Sequence, residues 1–541
     1  MMVPPAVVLD NGTGCLKAGF AGEFLPRHCL NTCVGQVRER QHQGLLLYGE
    51  DLLLSSNYFC LRPSQAAATI SPLVSDVEMM RDLWEVLLTH KRYLNFSEAS
   101  LADQGVIVTE PFLAPPAVRH ALSEVLFEDF RFSQVLFLPA QQAVPFAFLN
   151  GPLEDDDATE VGADGLPGLA GSVEPKAFAP DSVRRYGGLR APPPPEGEGE
   201  GEGGDVPDAA KGRSRRGDRE EEKRRRSAPA SLEASQEALV FRGKLCGLVV
   251  DVGFSGSMVV PYMDLQPVER AALRSSVGGS LLTTVLKNLC GFRSLNLERN
   301  ELLVQRMKEA CCFVSQDFDK QLSRAQSEAQ AAGGPTCVES AHLFKEFFLP
   351  EYGSGATRAS ILSFFNSPAT PPNAPSAGAP HAREPVAASL PAADAALNSE
   401  ERQSVRLCTE RISVPEVLFH PQDVGSAECG LVELIQRSIA LLPRELQPFA
   451  GDEILLVGGS SQFPGLRQRL WRELRAALPQ HWPVNIYTEA EPQFSVWRGA
   501  SCSYADRALF DYNAVTRQQF EEVGTHRSQG GAQNADYAAF Y

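Results

Sequence analysis

The sequence lacks any apolar run that approaches the about 18 residues needed for a membrane-spanning helix. It also lacks an N-terminal basic region followed by an apolar core, which is the pattern of a secretory signal peptide. Positive charge is scarce, since 50 Lys and Arg stand against 67 Asp and Glu and the net charge is −17. An acidic surface repels phosphate. These absences argue against a membrane protein and against nonspecific nucleic-acid binding by the whole chain.

Cysteine occurs at twelve positions, but no two of them form a C-x-x-C pair. Cys29 and Cys33 are four residues apart, and Cys311 and Cys312 are adjacent. Scattered cysteines of this kind favour reduced thiols that pack as small apolar residues in the cytosol or nucleus. Structural zinc is the second interpretation.

Composition divides the 541-residue chain into folded segments and two insertions. Residues 1–150 combine strand-like runs such as GVIVTEP and VLFLPA with the helical run PPAVRHALSEVLFEDF. Residues 151–236 contain APPPPEGEGEGEGG and few apolar side chains, so burial cannot offset the entropy of ordering. Residues 354–402 are similarly rich in Ala, Pro and Ser. We interpret both segments as disordered insertions that interrupt one α/β fold.

The first insertion carries runs of both charge signs. Its acidic run includes the residues from Glu154 to Asp157, which motivates the hypothesis that this segment binds histones. Its basic run, residues 213–226, is either a nuclear localisation signal or a solvated, charge-balanced stretch. The sequence leaves both interpretations of the basic run open.

The segment VVLDNGTGCLKAGF places an Asp, an Asn, several Gly and a Lys directly after an apolar strand. Asn11-Gly12 is a hairpin signal, and the alternation from Leu16 to Phe20 predicts a second strand. Glycines in the predicted tip, residues 12–14, let backbone N–H groups approach an anion. Two interpretations follow, a phosphate-binding hairpin with a metal-associated Asp or an ordinary tight turn.

A second segment far downstream repeats this pattern. LVVDVGFSGSMVVP, residues 248–261, again has an apolar strand, an Asp, one residue, a Gly, a small-residue turn and a strand. Two such hairpins suggest two related halves that face each other. Each would grip phosphate from its own side, while Asp10 and Asp251 share one hydrated Mg²⁺, a hard cation suited to carboxylate and water ligands.

A third glycine element, LLVGGSSQFPG, spans residues 455–465. Gly458 and Gly459 follow a predicted strand and precede a predicted helix, where backbone can approach a flat ligand or a phosphate. Each of the three elements is weak evidence when taken singly. Their order along one chain makes the combined prediction of a phosphate-binding cleft strong.

Together these motifs resemble the actin and hexokinase ATPase superfamily and, within it, the actin-related proteins. LDNGTGCLKAGFAG is similar to the first phosphate loop of actin, VVDVGFSG to the second, and VGGSSQFPG to the adenosine motif. RMKEACCFVSQDF resembles the actin segment whose Lys-Glu pair flanks the adenine, and SVWRGAS resembles the actin C-terminal region. VGGSLLTTVLK, SVPEVLFHPQDVG and SIALLPRELQP resemble the actin-related protein 6 family. The resemblance covers the chain outside the two insertions.

The resemblance implies an actin-like α/β fold, with two related ribonuclease-H-like half-domains around a nucleotide cleft. Half-domain one would comprise residues 1–150, with a short outer subdomain at about 33–65 and a C-terminal return at 490–541. Half-domain two would comprise residues 237–353 and 403–489.

The resemblance also implies roles for individual residues. Asp10 and Asp251 would organise Mg²⁺ through water molecules. Gln142, in AQQAV, would help to position the attacking water, and its alternative is a surface or helix-packing role. The nucleotide-binding residues would be Asp10, Gly12, Thr13, Gly14, Lys17, Asp251, Gly253, Ser255, Lys308, Glu309, Gly458, Gly459 and Ser460.

Three residues depart from the actin pattern. Val252 stands where actin has a Ser, Phe254 where it has a second Asp, and Met258 where it has a His near the hydrolytic water. Phe and Met cannot hold a water molecule by hydrogen bonding. Since such help typically contributes roughly 10²–10⁴-fold to the rate, we expect little or no enzymatic turnover. ATP or ADP with Mg²⁺ would then be a structural ligand or be absent.

For function, the resemblance implies a nuclear, non-filamentous scaffold in a Swr-type chromatin remodeller that exchanges a variant histone into nucleosomes. Its partners would be the remodeller ATPase and companion subunits, including a zinc-finger HIT protein, with nucleosomes or histones contacted indirectly. The short outer subdomain and the insertions argue against a filament, and the cytoplasm is a second expected location. The alternatives are a cytoskeletal actin-like ATPase that polymerises or regulates actin, and a kinase or chaperone of the same superfold.

Overall fold

A computed structural model describes most of the two α/β halves of the protein. The described residues are 5–37, 46–54, 58–62, 73–150 except 113, 246–366 with gaps at 292–296, 298–299, 332–342, 351 and 353–356, and 403–522 except 506. The predicted insertion at 151–236 and the charge runs within it lie outside these residues. Among the described helices, none combines the length and the apolar character that crossing a bilayer requires.

Strands and helices alternate along both halves, and they are numbered here in chain order. The strands are β1 (Val7–Asn11), β2 (Cys15–Phe20), β3 (His28–Asn31), β4 (Val34–Val37), β5 (Leu46–Leu47), β6 (Tyr58–Leu61), β7 (Gly105–Glu110), β8 (Gln134–Pro139), β9 (Cys246–Val252), β10 (Ser257–Met263), β11 (Gln266–Pro267), β12 (Leu273–Ser275), β13 (Lys345–Phe348), β14 (Ser404–Leu407), β15 (Ile454–Val457), β16 (Ile486–Tyr487) and β17 (Val515–Thr516).

The helices connect these strands and cover the sheets that they form. They are α1 (Gly49–Leu53), α2 (Leu73–Thr89), α3 (Glu98–Leu101), α4 (Pro116–Glu124), α5 (Ala140–Asn150), α6 (Gly279–Gly291), α7 (Glu301–Cys311), α8 (Phe318–Ala331), α9 (Arg358–Asn366), α10 (Glu410–Glu416), α11 (Leu431–Ala440), α12 (Gln447–Ala450), α13 (Leu466–Ala477), α14 (Ser495–Ser503) and α15 (Arg507–Asn513). A π-helical turn, Val125–Asp129, extends α4. Short 3₁₀ turns occur at Glu269–Ala271, Pro421–Val424, Gly459–Gln462 and Pro492–Phe494.

Half one is built on a six-stranded sheet in the order β17-β8-β7-β1-β2-β3. Strands β1 and β2 form an antiparallel hairpin, while β7 and β8 run parallel to β1. Strand β7 is buried along its whole length, as expected for a parallel strand covered on both faces. The hairpin predicted from VVLDNGTGCLKAGF is therefore confirmed, with its tip at residues 12–14.

Half two repeats this plan in a sheet of order β11-β10-β9-β15-β16, with β12 paired to β10. Strands β9 and β10 form the antiparallel hairpin, and β15 runs parallel to β9. In both halves the chain therefore makes a hairpin whose first strand is later joined by a parallel strand. This repeat is the structural form of the sequence repeat between the two Asp-containing segments.

A small outer subdomain lies beyond the first sheet. It contains a three-stranded sheet in the order β5-β4-β6, with helix α1 between β5 and β6. Another two-stranded sheet, β13 with β14, belongs to half two and flanks the second predicted insertion. Helix α1 of the outer subdomain contacts helix α9 of half two outside the main sheets.

Helices α5 and α14 lie between the two main sheets and join the halves. Ala143 and Trp497 pack in the apolar cluster of the first sheet, while Val144 and Val496 pack in a cluster with the strands of the second. The helices cross so closely that a Cβ on Gly499 would lie 2.0 Å from the carbonyl oxygen of Ala143. A residue larger than glycine cannot be placed at this crossing without moving a helix.

One helix lies where the sequence analysis places a disordered insertion. Helix α9 occupies residues within the predicted insertion at 354–402, while residues 367–402 lie outside the described part of the chain. The helix contains Ile361, Leu362, Phe364 and Phe365, which are buried or half-buried. These four apolar side chains provide the burial that the Ala/Pro-rich remainder of the segment lacks.

Candidate nucleotide-binding cleft

The first hairpin presents a narrow tip that is braced from behind by Thr32. The Thr32 hydroxyl donates to the Gly12 carbonyl oxygen at 2.6 Å, and the Thr32 amide donates to the Gly14 carbonyl oxygen at 3.2 Å. A Cβ on Gly12 would lie 2.5 Å from the Cys15 carbonyl oxygen. Only glycine therefore permits this tight tip, and the tip presents its backbone without a side chain at these positions.

Asp10 lies at the base of the first hairpin and is 4% exposed. Its carboxylate accepts from the Lys17 ammonium at 2.5 Å and from the Thr109 hydroxyl at 2.6 Å. Burial lowers the pKa of Lys17, but the charge and hydrogen bond of Asp10, together with the nearby Cys15 and Cys29 thiols, outweigh this effect, and the pKa lies above its ordinary value. The Lys17 side chain is therefore charged and fixed beside Asp10 at neutral pH.

Asp251 occupies the matching position at the end of β9. Its carboxylate accepts from the Gln141 side-chain amide at 2.8 Å. Burial raises the pKa of Asp251, the Gln141 hydrogen bond opposes that rise, and the nearby charge of Asp10 adds to it. Asp10 and Asp251 thus lie close enough to interact electrostatically, although they are 241 positions apart in sequence.

The tips of the two hairpins meet directly. The backbone N–H of Ser255 donates to the Thr13 hydroxyl oxygen at 3.2 Å. Within the second tip, the Gly253 amide donates to the Gly256 carbonyl oxygen at 3.0 Å. The structure therefore brings Thr13, Gly253 and Ser255 together, as the sequence predicts for two opposed phosphate loops.

The third glycine element closes the same site from the side of half two. Gly458 has a φ of 94°, and a Cβ there would lie 2.5 Å from the Asp251 carboxylate. The Ser460 hydroxyl donates to the Gly253 carbonyl oxygen at 3.2 Å. A Cβ on Gly459 would meet nothing within 4 Å, so this glycine borders open space. Such a surface can receive the flat face of a base or ribose.

Lys308 and Glu309 differ in their surroundings although they are neighbours on α7. The buried Lys308 ammonium donates to the Gly279 carbonyl oxygen at 2.8 Å and to the Thr283 hydroxyl at 3.0 Å. Burial lowers the pKa of Lys308 to about 8. Glu309 is exposed and accepts from the Gln305 side-chain amide at 3.0 Å. The pair predicted beside the adenine is thus one buried cation and one exposed carboxylate.

Sequence reasoning did not name Gln141, which contacts the Asp251 carboxylate, and the role predicted for Gln142 stays a prediction. The prediction named Gln142, which is half-buried on α5, but the preceding residue is the one that reaches Asp251. The side-chain carbonyl oxygen of Gln141 is buried and has no hydrogen-bond partner among the described residues. An acceptor in this position is suited to a water molecule or a ligand hydroxyl. The two adjacent glutamines in AQQAV are the sequence feature that indicates a glutamine side chain near Asp251.

The three residues that depart from the actin pattern are apolar, and each packs against other parts of the structure. Val252 packs in the main core of half two, and Met258 packs with Phe112 and Val260. Phe254 lies against the first hairpin, since a Cβ on Gly14 would be 3.0 Å from the Phe254 Cβ. All three side chains therefore make apolar packing contacts in this structure.

The chemistry of the donor set fits a hydrated Mg²⁺ ion with a nucleotide. Two carboxylates, Asp10 and Asp251, lie close enough to interact electrostatically, and a Cβ on Gly253 would lie 3.6 Å from an Asp251 carboxylate oxygen. Two carboxylates with bound water suffice for Mg²⁺. Within the described part of the chain, no group of three or more His, Cys, Asp or Glu is placed to hold a metal directly. These residues could therefore hold a hydrated cation together with phosphates.

Fold and cleft together define an actin-family protein. The family model described as Actin matches residues 3–153 and 226–529, and the chain belongs to this family. The predicted fold class, an actin-like α/β fold with two halves around a cleft, is confirmed.

Individual relatives narrow the similarity further. The protein named Actin-related protein 6 from Oryza sativa subsp. indica is 26% identical over 533 residues, which cover 96% of this chain and 97% of that protein. The one from Arabidopsis thaliana is 26% identical over 524 residues, with the same coverage of both chains. The Drosophila melanogaster protein of that name is 29% identical over 290 residues, 54% of this chain and 63% of the other. The predicted resemblance is thereby confirmed at the level of the actin-related proteins.

Proposed function

We propose that this protein is a nuclear, non-filamentous scaffold subunit of a Swr-type chromatin remodeller, which exchanges a variant histone into nucleosomes. The observation that carries the proposal is its end-to-end similarity to proteins named Actin-related protein 6, over 96% of the chain. The apolar residues Phe254 and Met258 in the cleft support a scaffold over an ATPase motor. The nucleus is its main location in this proposal, and the cytoplasm is a second one.

The proposed partners are the remodeller ATPase and its companion subunits, including a zinc-finger HIT protein. Nucleosomes or histones are contacted indirectly, through these subunits. No membrane partner is proposed. The acidic net charge of −17 is compatible with a surface that approaches basic proteins more readily than nucleic acid.

The proposed ligand of the cleft is ATP or ADP with Mg²⁺, bound with little or no turnover. Bound Mg²⁺ would neutralise phosphate charge. Asp10 and Asp251 would hold its waters, Lys17 would face the phosphates, and Gly458 and Gly459 would lie along the adenosine. Phe254 leaves no group at its position that orients an attacking water. Single-turnover hydrolysis at the rate of a filament-forming actin would contradict this part of the proposal.

The experiment that tests the proposed function is affinity purification of the tagged full-length protein from nuclear extract, followed by mass spectrometry. We expect a remodeller ATPase and companion subunits in near-equal amounts. Recovery of the protein alone, or with cytoplasmic actin-binding proteins, would leave the actin fold standing and overturn the chromatin assignment.

The second candidate is a cytoskeletal actin-like ATPase that polymerises or regulates actin. It rests on the confirmed family membership, because that family includes actin itself. A pelleting assay in the presence of Mg·ATP and salt separates the candidates. Sedimentation of the purified protein would favour the cytoskeletal candidate, whereas a soluble monomer at all tested concentrations would favour the scaffold.

A further inference from the structure

The outer subdomain of half one is packed against half two outside the nucleotide cleft. One apolar cluster contains side chains from both halves. Its outer-subdomain members are Cys33, Leu52 and Leu53, and its half-two members are Leu302, Leu362 and Phe365. Burial of apolar surface between two moving parts stabilises the arrangement in which they touch, whether or not a ligand is bound.

Helix α9 contributes two side chains on one side of the helix to this apolar cluster. Leu362 and Phe365 are three residues apart, so they lie on the same side of the helix, toward the outer subdomain. Phe364 packs onto half two itself, with its ring centroid 5.7 Å from that of Phe347, and its ring also lies 5.1 Å from that of Phe365. Helix α9 is thus anchored on half two and reaches across to α1.

A polar contact joins the same two parts closer to the cleft. The Arg62 guanidinium donates to the Glu301 carboxylate at 2.7 Å and to the Gln305 side chain at 3.2 Å. Both partners belong to α7 of half two, and Arg62 follows strand β6 of the outer subdomain. The guanidinium carbon also lies 4.4 Å from the ring centroid of Phe254, a cation–π contact.

Phe254 connects this contact to the interior of the cleft. Its ring also lies 5.9 Å from the Lys308 ammonium, and a Cβ on Gly279 would be 3.3 Å from the ring. The ring therefore fills space between the first hairpin tip, α6 and Arg62. An Asp at this position could not pack against Gly14 and Gly279 in this way.

We propose that these contacts, here called the clasp, hold the cleft closed without nucleotide and control the access of nucleotide to it. The clasp consists of the cluster around Leu362 and Phe365, the Arg62 contacts with α7, and the Phe254 ring. Closure by the clasp stands on these contacts alone, whereas control of access rests on the proposed nucleotide binding. A bound nucleotide would then further stabilise a cleft that is already closed.

The test compares the full-length wild type with Leu362→Ala/Phe365→Ala by hydrogen exchange in the absence of nucleotide. In the wild type we expect the hairpin tips at 12–14 and 253–256 to be protected, and Mg·ATP to change their exchange little. In the double variant we expect exchange at both tips to be at least about tenfold faster, and Mg·ATP to restore protection if it binds.

Phe347→Ala is the matched control, since it removes an aromatic ring that lies in the core of half two and contacts Phe364 of α9. It is expected to lower thermal stability without speeding exchange at the tips relative to the other cleft residues. Arg62→Gln is a milder second variant that leaves the apolar cluster intact. It keeps the test usable if the double variant does not fold, and it should speed exchange at the tips by a smaller factor.

Two results would overturn the clasp. One is a nucleotide-free wild type whose tips exchange as fast as those of the double variant. The other is equal acceleration by Phe347→Ala and by Leu362→Ala/Phe365→Ala.

A separate measurement addresses nucleotide access. We expect a fluorescent ATP analogue to associate several-fold faster with Arg62→Gln than with the wild type. Equal association rates would overturn control of access. Absence of binding to both proteins would refute the proposed nucleotide ligand and, with it, control of access, while the exchange experiment still decides closure.

Discussion

The two hairpins that face each other across the cleft share one backbone plan and differ in their side-chain chemistry. The first retains a polar core, in which Asp10 is paired with Lys17 and bonded to Thr109. The second has Asp251 bonded to Gln141, and the same hairpin carries the apolar residues Val252, Phe254 and Met258. Binding requires charge and open backbone, whereas hydrolysis also requires an oriented water. The difference teaches that one backbone plan can carry side chains of different polarity beside its carboxylate, and it supports the proposal of a nucleotide bound with little or no turnover.

Breaking the polar core of the first hairpin should have the largest effect. Asp10→Ala leaves the buried Lys17 ammonium without its partner, and such a loss typically costs about 3–5 kcal/mol of stability. We expect a large drop in the thermal midpoint, measured by calorimetry. Asp10→Leu/Lys17→Met should recover most of the loss because it removes both charges.

The second hairpin provides the comparison for that experiment. Asp251→Asn can still accept from Gln141, so we expect a loss below about 1 kcal/mol. Equal midpoints for Asp10→Ala and Asp251→Asn would show that the two carboxylates are equivalent, against the comparison drawn here.

Polar side chains introduced into the second hairpin should reduce the chemical difference between the two hairpins. Phe254→Asp/Met258→His returns the residue types that actin has at these positions. We expect single-turnover ATP hydrolysis to rise about a hundredfold, within the range for water-positioning groups. Val252→Ser alone is the control, since it adds a hydroxyl without an acid or a base. No increase in the double variant would place the cause of slow turnover elsewhere.

Lys308 lies near the Phe254 ring of the second hairpin, and its ionisation should make the stability of the protein depend on pH. Its pKa is about 8, below the ordinary value of about 10.4 for lysine. The unfolded chain therefore binds more protons than the folded one between these values, and stability from this group rises with pH across that window. We expect wild-type protein to gain on the order of 1–2 kcal/mol relative to Lys308→Met from pH 8 to 10.

Thermal midpoints of both proteins across this pH range provide the measurement for Lys308. The difference between them isolates Lys308 from other groups that titrate in the same range. A difference that stays constant with pH would contradict a buried, proton-poor Lys308.

The smallest effect should come from the link between the hairpins. Thr13→Val removes the hydroxyl that accepts from the Ser255 amide, and such a bond typically contributes about 1 kcal/mol. Hydrogen exchange of the Ser255 amide should be several-fold faster in this variant. Thr13→Ser keeps the hydroxyl and should exchange like the wild type; if both variants exchange alike, the link contributes nothing.

Much of the fold could be predicted because its signals are local. Asn11-Gly12 predicts a hairpin from two adjacent residues, and the repeated Asp-x-Gly pattern predicts the second hairpin around Asp251. The double glycine at Gly458 likewise predicts a turn between a strand and a helix, which the structure contains. The similarity to actin motifs then supplied the arrangement of these pieces.

The rest of the site depends on contacts that no local pattern records. Thr109 reaches Asp10 across 99 positions of sequence, and Arg62 reaches Glu301 across 239. Adjacent residues on a helix point about 100° apart, so a doublet such as Gln141-Gln142 does not tell which member faces Asp251. Packing decides these contacts, and packing is known only once the chain is folded.

The apolar residues of α9 show the same limit in a different form. Average composition over residues 354–402 predicts disorder, yet a short run with four large apolar side chains forms a helix at one end. Composition averaged over about fifty residues does not reveal such a short apolar run. Its role becomes visible only where Leu362 and Phe365 meet α1.

The position of α14 has a consequence for how the protein is made. Trp497 is fully buried in the cluster that includes Val8 and Ile107, and β17 completes the edge of the first sheet beside β8. At about 5–20 residues per second, a ribosome that has finished β8 needs about 20–70 s to reach Trp497. During that interval the first sheet lacks the helix that covers one of its faces. We therefore expect the nascent chain to depend on chaperones until its last fifty or so residues emerge.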